Sequence, residues 1–117
     1  MRKVKVKICG LKRAQDIECV NRLLPDYIGF VFAKTKREVT EQQAAQLKAM
    51  LNPQIKAVGV FVNAEIDKII RLAKSRTIDI IQLHGDEDAA YCERLRQQTQ
   101  LPIIKAVRVK DAGSFEN

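Results

Sequence analysis

The sequence predicts an α/β fold built on parallel strands, and three observations carry that expectation. Five short runs rich in β-branched and aromatic residues are bounded by Gly, Pro or charged turns. Between them lie four stretches of helical periodicity, each of roughly 10–15 residues, the length of a crossover helix. The two kinds of segment alternate from one end of the chain to the other, which points to parallel pairing through right-handed crossovers.

From Lys3 to Cys9 the alternation is strict, with Val4, Val6 and Ile8 on one face and Lys3, Lys5, Lys7 and Cys9 on the other. Period two marks a strand, and Gly10 ends it. Arg13 to Leu24 carries Ile17, Val20, Leu23 and Leu24 at helical spacing, and Pro25 stops it. Tyr27–Phe32 reads as a buried strand, followed by the basic loop Lys34-Thr35-Lys36-Arg37. Thr40-Glu41-Gln42-Gln43 fits a capping box, and Ala44, Leu47, Met50 and Leu51 continue that helix toward Pro53. Ala57–Val62 is a third strand, with Asn63 as the expected N-cap of a helix carrying Ile66, Ile69, Ile70 and Ala73. Ile78–His84 is a fourth strand closed by Gly85, and Asp86–Gln98 a fourth helix with acidic residues in its first turn, where the helix dipole favours them. Ile103–Val107 is a fifth strand after Pro102, and the tail from Asp111 to Asn117 is short and polar.

The 117 residues suffice for one domain with a real core, and no composition break divides 1–117. No apolar run approaches the ~20 residues of a membrane span, so no membrane partner is expected. The three cysteines have no CxxC spacing and there is a single histidine, which excludes the usual zinc patterns. Cysteine usage without secretory features suggests reduced thiols and a cytoplasmic protein. A net charge of +7 suggests an anionic partner. The cations are scattered and aromatics make up only 5%, so a phosphorylated or carboxylated small molecule fits at least as well as nucleic acid.

Parallel strands covered on both faces should be continuously apolar. Strands one and four are not: Lys5, Lys7 and Cys9 interrupt one, Gln82 and His84 the other. Polar side chains near the carboxyl ends suit a barrel whose interior opens into an active site, whereas an open doubly wound sheet would have to bury lysines under a helix. Part of a (β/α)8 barrel is therefore expected. Lys7 and Cys9 share a face about 7 Å apart by strand rise, and a thiol beside an ammonium is biased toward the reactive thiolate. The alternative is an inert Cys9 filling space at a strand end. If the charge serves a small anion, Lys5, Lys7, Lys105 and Arg37 should converge on one end of the sheet.

Several segments occur in an order and spacing that resemble one family. They are Lys7-Ile8-Cys9-Gly10, Gly29-Phe30-Val31-Phe32 with Lys36-Arg37, Val58–Asn63, Gln82-Leu83-His84-Gly85 and Ile104-Lys105-Ala106-Val107. Together, from about Val6 to Val107, they resemble phosphoribosylanthranilate isomerase, a (β/α)8 (TIM) barrel enzyme of tryptophan biosynthesis. The resemblance implies an Amadori rearrangement without cofactor or metal. It gives Cys9 the role of general base and Arg37 that of a clamp on the anthranilate carboxylate, a group suited to a guanidinium fork. Lys7 and His84 are expected to line the substrate pocket. For Arg37 the alternative is a solvated loop charge, and for His84 a structural histidine. Cys19 and Cys92 are expected to be core.

In that family the general acid ends strand six and the phosphate turns follow strands seven and eight. None of Asp86, Asp88 or Asp111 matches the acid. A barrel usually takes about 200 residues or more, so the 117 residues are expected to supply its first four and a half β/α units, catalytically incompetent alone. The alanine and lysine at 33 and 34 stand where the family has a longer, proline-bearing segment. Leu24-Pro25 replaces a usual Gly-Ala pair. Two other functions compete: a half-barrel that self-associates through open edges and binds anionic small molecules, and, more weakly, the neighbouring indole-glycerol-phosphate synthase, whose lysine and glutamate chemistry gives no place to a Cys9-type base.

Overall fold

In the computed structural model, which describes residues 5–105, the apolar runs pair into one parallel sheet. The strands are β1 (Lys7–Cys9), β2 (Tyr27–Val31), β3 (Lys56–Phe61), β4 (Ile80–Leu83) and β5 (Ile103–Lys105). The helices between them are α1 (Ala14–Leu23), α2 (Glu41–Met50), α3 (Ile66–Lys74) and α4 (Ala89–Arg96). The spatial order is β1-β2-β3-β4-β5, and all four pairings are parallel. A doubly wound sheet needs a point where strand order reverses; none occurs among the described residues.

Register decides what each face of the sheet carries. Ile8, Ile28 and Ala57 align on one face, as do Phe30, Gly59, Ile81 and Ile103. Onto that face pack Ile17 and Val20 of α1, Ala44 and Leu47 of α2, Ile69 and Leu72 of α3, and Leu95 of α4, in one cluster. Burying each large aliphatic side chain is worth about 1.5–3 kcal/mol, so this layer dominates stability. The opposite face, carrying Lys7, Cys9, Gly29, Val31, Val58, Val60, Gln82 and Ile104, has no helix packed on it among the described residues.

Several boundaries depart from the sequence-based expectation for local physical reasons. The ladder of β1 begins at Lys7, because the Asp26 carboxylate takes the Val6 amide at 2.7 Å. Val6 is 44% exposed, while Ile8 packs against the core as expected; Val4 lies outside the described residues. Thr40 caps α2 in the predicted box, its hydroxyl accepting from the Gln43 amide at 3.0 Å while the Gln43 carboxamide accepts from the Thr40 amide at 3.3 Å. Asn63 does not cap α3: its φ of +50° is left-handed, whereas an N-cap is extended, and Glu65 holds that position. Helix α4 starts at Ala89 with Asp88 as cap, its carboxylate accepting from the Tyr91 amide at 2.8 Å. Cys19 is exposed on α1 and not core, while Cys92 is half-buried against the core. Ala106, Val107 and the tail from Asp111 lie outside the described residues.

Candidate active site

The uncovered face ends, at the carboxyl ends of β1 to β4, in a cavity of about 440 Å³. All four residues singled out in the sequence line it: Lys7, Cys9, Arg37 and His84. Their convergence follows from strand periodicity. Lys7 and Cys9 pair with Tyr27 and Gly29 on the same face of the sheet, Val31 and Val60 supply an apolar floor, and Gln82 rises from β4 beside them.

Glycines open the space these side chains occupy. A Cβ on Gly29 would stand 2.7 Å from the Cys9 sulfur, so the strand opposite Cys9 must carry no side chain there. Gly10 has a φ of +85°, and a Cβ on it would meet the Arg37 Cδ at 2.5 Å. The arginine stem therefore lies across the turn that follows Cys9. The loop bearing Arg37 is tied down at both ends: Lys12 Nζ donates to the Lys36 carbonyl at 2.9 Å, and the Val39 amide to the Val31 carbonyl at 2.9 Å.

The ammonium of Lys7 donates to the Gln82 carboxamide oxygen at 2.6 Å, spanning the open face from β1 to β4. Gln82 is thus a site residue whose partner the sequence does not reveal. Of the other expected cations, Lys5 lies at the opposite end of the sheet, its Nζ 5.8 Å from the Tyr27 ring centroid, so it does not join the cavity. Lys105 shares the helix-facing side with Leu83 and bonds Glu87 and the Gly85 carbonyl. Only Lys7 and Arg37 of the four meet at the cavity. The His84 amide donates to the Phe61 carbonyl at 2.8 Å, carrying the end of β4 past β3 so that the side chain reaches the rim.

The sequence does not single out Glu87, since among Asp86, Glu87 and Asp88 it reads as one more first-turn charge. Burial pushes its carboxyl up, but the Lys105 ammonium and the backbone amides bonded to it outweigh that and leave it below the usual glutamate range. Tyr91, half-buried beside it, has its phenol pushed up to about 12, by partial burial first and by the Glu87 charge second. A larger cavity, about 610 Å³, lies across the loop at Ala33 and Thr35, but its charged rim mixes Lys34 and Lys68 with Glu38 and Glu65, and Arg71 is engaged by Glu41. No thiol or imidazole lines it. No helix of the described residues is long and apolar enough to cross a membrane.

A sequence model of the N-(5'phosphoribosyl)anthranilate (PRA) isomerase family matches residues 6–117. The chain is 50% identical over 107 residues to the N-(5'-phosphoribosyl)anthranilate isomerase of Endomicrobium trichonymphae, covering 92% of this chain and 54% of that one. It is 46% identical over 113 residues to that of Thermoanaerobacter sp. (strain X514), covering 97% and 54%. The chain thus spans about half the length of the curated relatives it matches. Among solved structures it superposes on the dimeric phosphoribosylanthranilate isomerase of Thermotoga maritima, crystallised as monomers, with a TM-score of 0.84 and 35% identity, covering 97% of this chain and 58% of that one. Another isomerase structure, solved with reduced 1-(o-carboxyphenylamino)-1-deoxyribulose 5-phosphate bound, gives a TM-score of 0.83 at 34% identity, covering 97% and 58%. The chain belongs to the N-(5'-phosphoribosyl)anthranilate isomerase family.

Proposed function

We propose that this chain is the N-terminal part of a (β/α)8-barrel phosphoribosylanthranilate isomerase and supplies its general base, Cys9. The observation that carries this is the meeting of Cys9 and Arg37, from separate β/α units, in one cavity at the strand carboxyl ends of a chain in this family. Barrel closure is supported by the unreversed strand order and the helices on one face only among the described residues, and by the fraction of its relatives' length that the chain spans. Residues 1–117 then form one domain with the remainder of the barrel.

The reaction turns an aminoaldose phosphate into an aminoketose. Protonation of the ribose ring oxygen opens the ring as the nitrogen lone pair forms an imine to C1. Cys9 removes the proton from C2, giving the enolamine, which tautomerises to the C2 ketone. A positioned base of this kind contributes about 10²–10⁴-fold. Arg37 holds the anthranilate carboxylate through its guanidinium fork, steadied by Gly10 beneath its stem. Lys7, held by Gln82, lines the cavity above its apolar floor, and His84 forms part of the rim. The acid for ring opening and the phosphate anchor belong to the remainder of the barrel. This reading carries with it a cytoplasmic enzyme of tryptophan biosynthesis, acting on a phosphorylated small molecule without nucleic acid, membrane or cofactor.

The test is substitution in the intact protein. Cys9→Ser lowers kcat by about 10²-fold or more, the usual span for a positioned base, without changing the unfolding midpoint. Turnover within about threefold of wild type would remove Cys9 from the base role.

A further inference from the structure

Among the described residues Glu87 is the one buried acidic residue, and its side chain is 0% exposed. Its oxygens bind three segments at once. One accepts from the Asn63 amide at 2.8 Å; the other accepts from the Gly85 amide at 3.0 Å and from Lys105 Nζ at 2.9 Å. These donors lie after β3, after β4 and on β5. Tyr91 adds a second tie to the first of these segments, its hydroxyl donating to the Ala64 carbonyl at 2.6 Å. The two turns also lock directly, for the Asn63 carboxamide oxygen accepts from the Asp86 amide at 3.0 Å, and a Cβ on Gly85 would stand 2.9 Å from that same oxygen.

The two amides held by Glu87 each follow a residue that lines the Cys9 cavity: Val62 precedes Asn63, and His84 precedes Gly85. We propose that Glu87 is a positioning residue for the candidate active site, its carboxylate fixing the turns after β3 and β4 and so setting where Val62 and His84 stand in the cavity wall. The proposal rests on the isomerase reading of that cavity. A buried carboxylate costs more to desolvate than an apolar side chain of similar size, so its presence calls for a geometric task. A carboxamide could not perform it: with a single oxygen, Gln would serve either Asn63 or the Gly85 and Lys105 pair, and would turn a donor toward the other.

The test compares wild type, Glu87→Gln and Tyr91→Phe in the intact protein; Tyr91→Phe cuts the second tie while keeping the buried charge. Amide hydrogen exchange is read at Asn63 and Gly85 against Ile28 and Phe30 in β2, with kcat and KM for phosphoribosylanthranilate on the same samples. In Glu87→Gln, exchange should quicken by about tenfold at whichever turn amide, Asn63 or Gly85, faces the carboxamide nitrogen, as for one lost hydrogen bond, with β2 unchanged. KM should rise by about tenfold while kcat stays within about threefold, because wall residues move and the base does not. Tyr91→Phe should shift the Asn63 amide and KM in the same direction by less. Exchange that quickens uniformly, or not at all, would overturn the proposal, as would local quickening with an unchanged KM. An inactive wild type would instead overturn the isomerase reading, leaving the exchange comparison to decide whether Glu87 clamps the turns.

Discussion

Cys9 and Arg37 both depend on neighbours that lack side chains. The alternation of the first strand was enough to aim Cys9 at the cavity, because side-chain direction in a strand is set by parity. The service of Gly29 was not legible, since it arises from a cross-strand register joining residues 20 positions apart, Cys9↔Gly29. Lys7 was legible as a neighbour of Cys9, but its bond to Gln82 depends on two strands lying between them. Gly29→Ala is therefore a sharp probe. Its Cβ would stand 2.7 Å from the sulfur in a buried position, so Cys9 must move or the strands must part. The atom it meets is the end of the exposed Cys9 side chain, which can turn to another rotamer, so the unfolding midpoint of the intact protein should change little. Turnover should fall all the same, since in the proposed mechanism a displaced sulfur cannot meet the C2 proton. Wild-type turnover in the Gly29→Ala protein would mean that the sulfur's position is not what the reaction requires.

The elements were legible in type and order because each has a strong period, and illegible in their boundaries where a side chain competes with the backbone. Asn63 carries the residue type of an N-cap, yet its left-handed backbone turns the chain before α3 begins, and its carboxamide bonds the Asp86 amide. Glu87 was hidden for a similar reason: nothing in the pattern of three consecutive acids says which one folds inward. Its depressed carboxyl makes a pH prediction. A group whose native value lies below its unfolded value adds stability above the unfolded range, which for Glu centres near about 4.3. That contribution disappears as the pH falls through the native value. Urea unfolding of wild type and Glu87→Gln should thus differ most near neutrality, in favour of wild type, with the gap narrowing as the solution is acidified below about pH 4. A gap independent of pH would mean that the Lys105 and amide partners do not hold the charged form.

At the scale of the molecule, one covered and one uncovered face is the feature most clearly written in the sequence, where Lys7, Cys9, Gln82 and His84 interrupt strands that a doubly covered sheet would keep apolar. The expected convergence of all four basic residues fails, because charge alone does not say at which end of a strand a lysine emerges; Lys5 lies away from the cavity. Val62 and Ile104, on the uncovered side, are 40% and 49% exposed, and β1 and β5 end the sheet with unpaired edges among the described residues. Such edges template pairing with further strands, so the 117-residue chain alone should sediment as more than a monomer at low micromolar concentration. The most direct measurement is consumption of phosphoribosylanthranilate by two samples, the 117-residue chain and the same chain joined to the rest of a (β/α)8 barrel of this family. Turnover by the joined protein alone is the predicted result, because in the proposed mechanism Cys9 takes the C2 proton only after an acid from the rest of the barrel has opened the ring. Turnover by the 117-residue chain as a monomer would contradict the account, and some residue among these would have to be the acid.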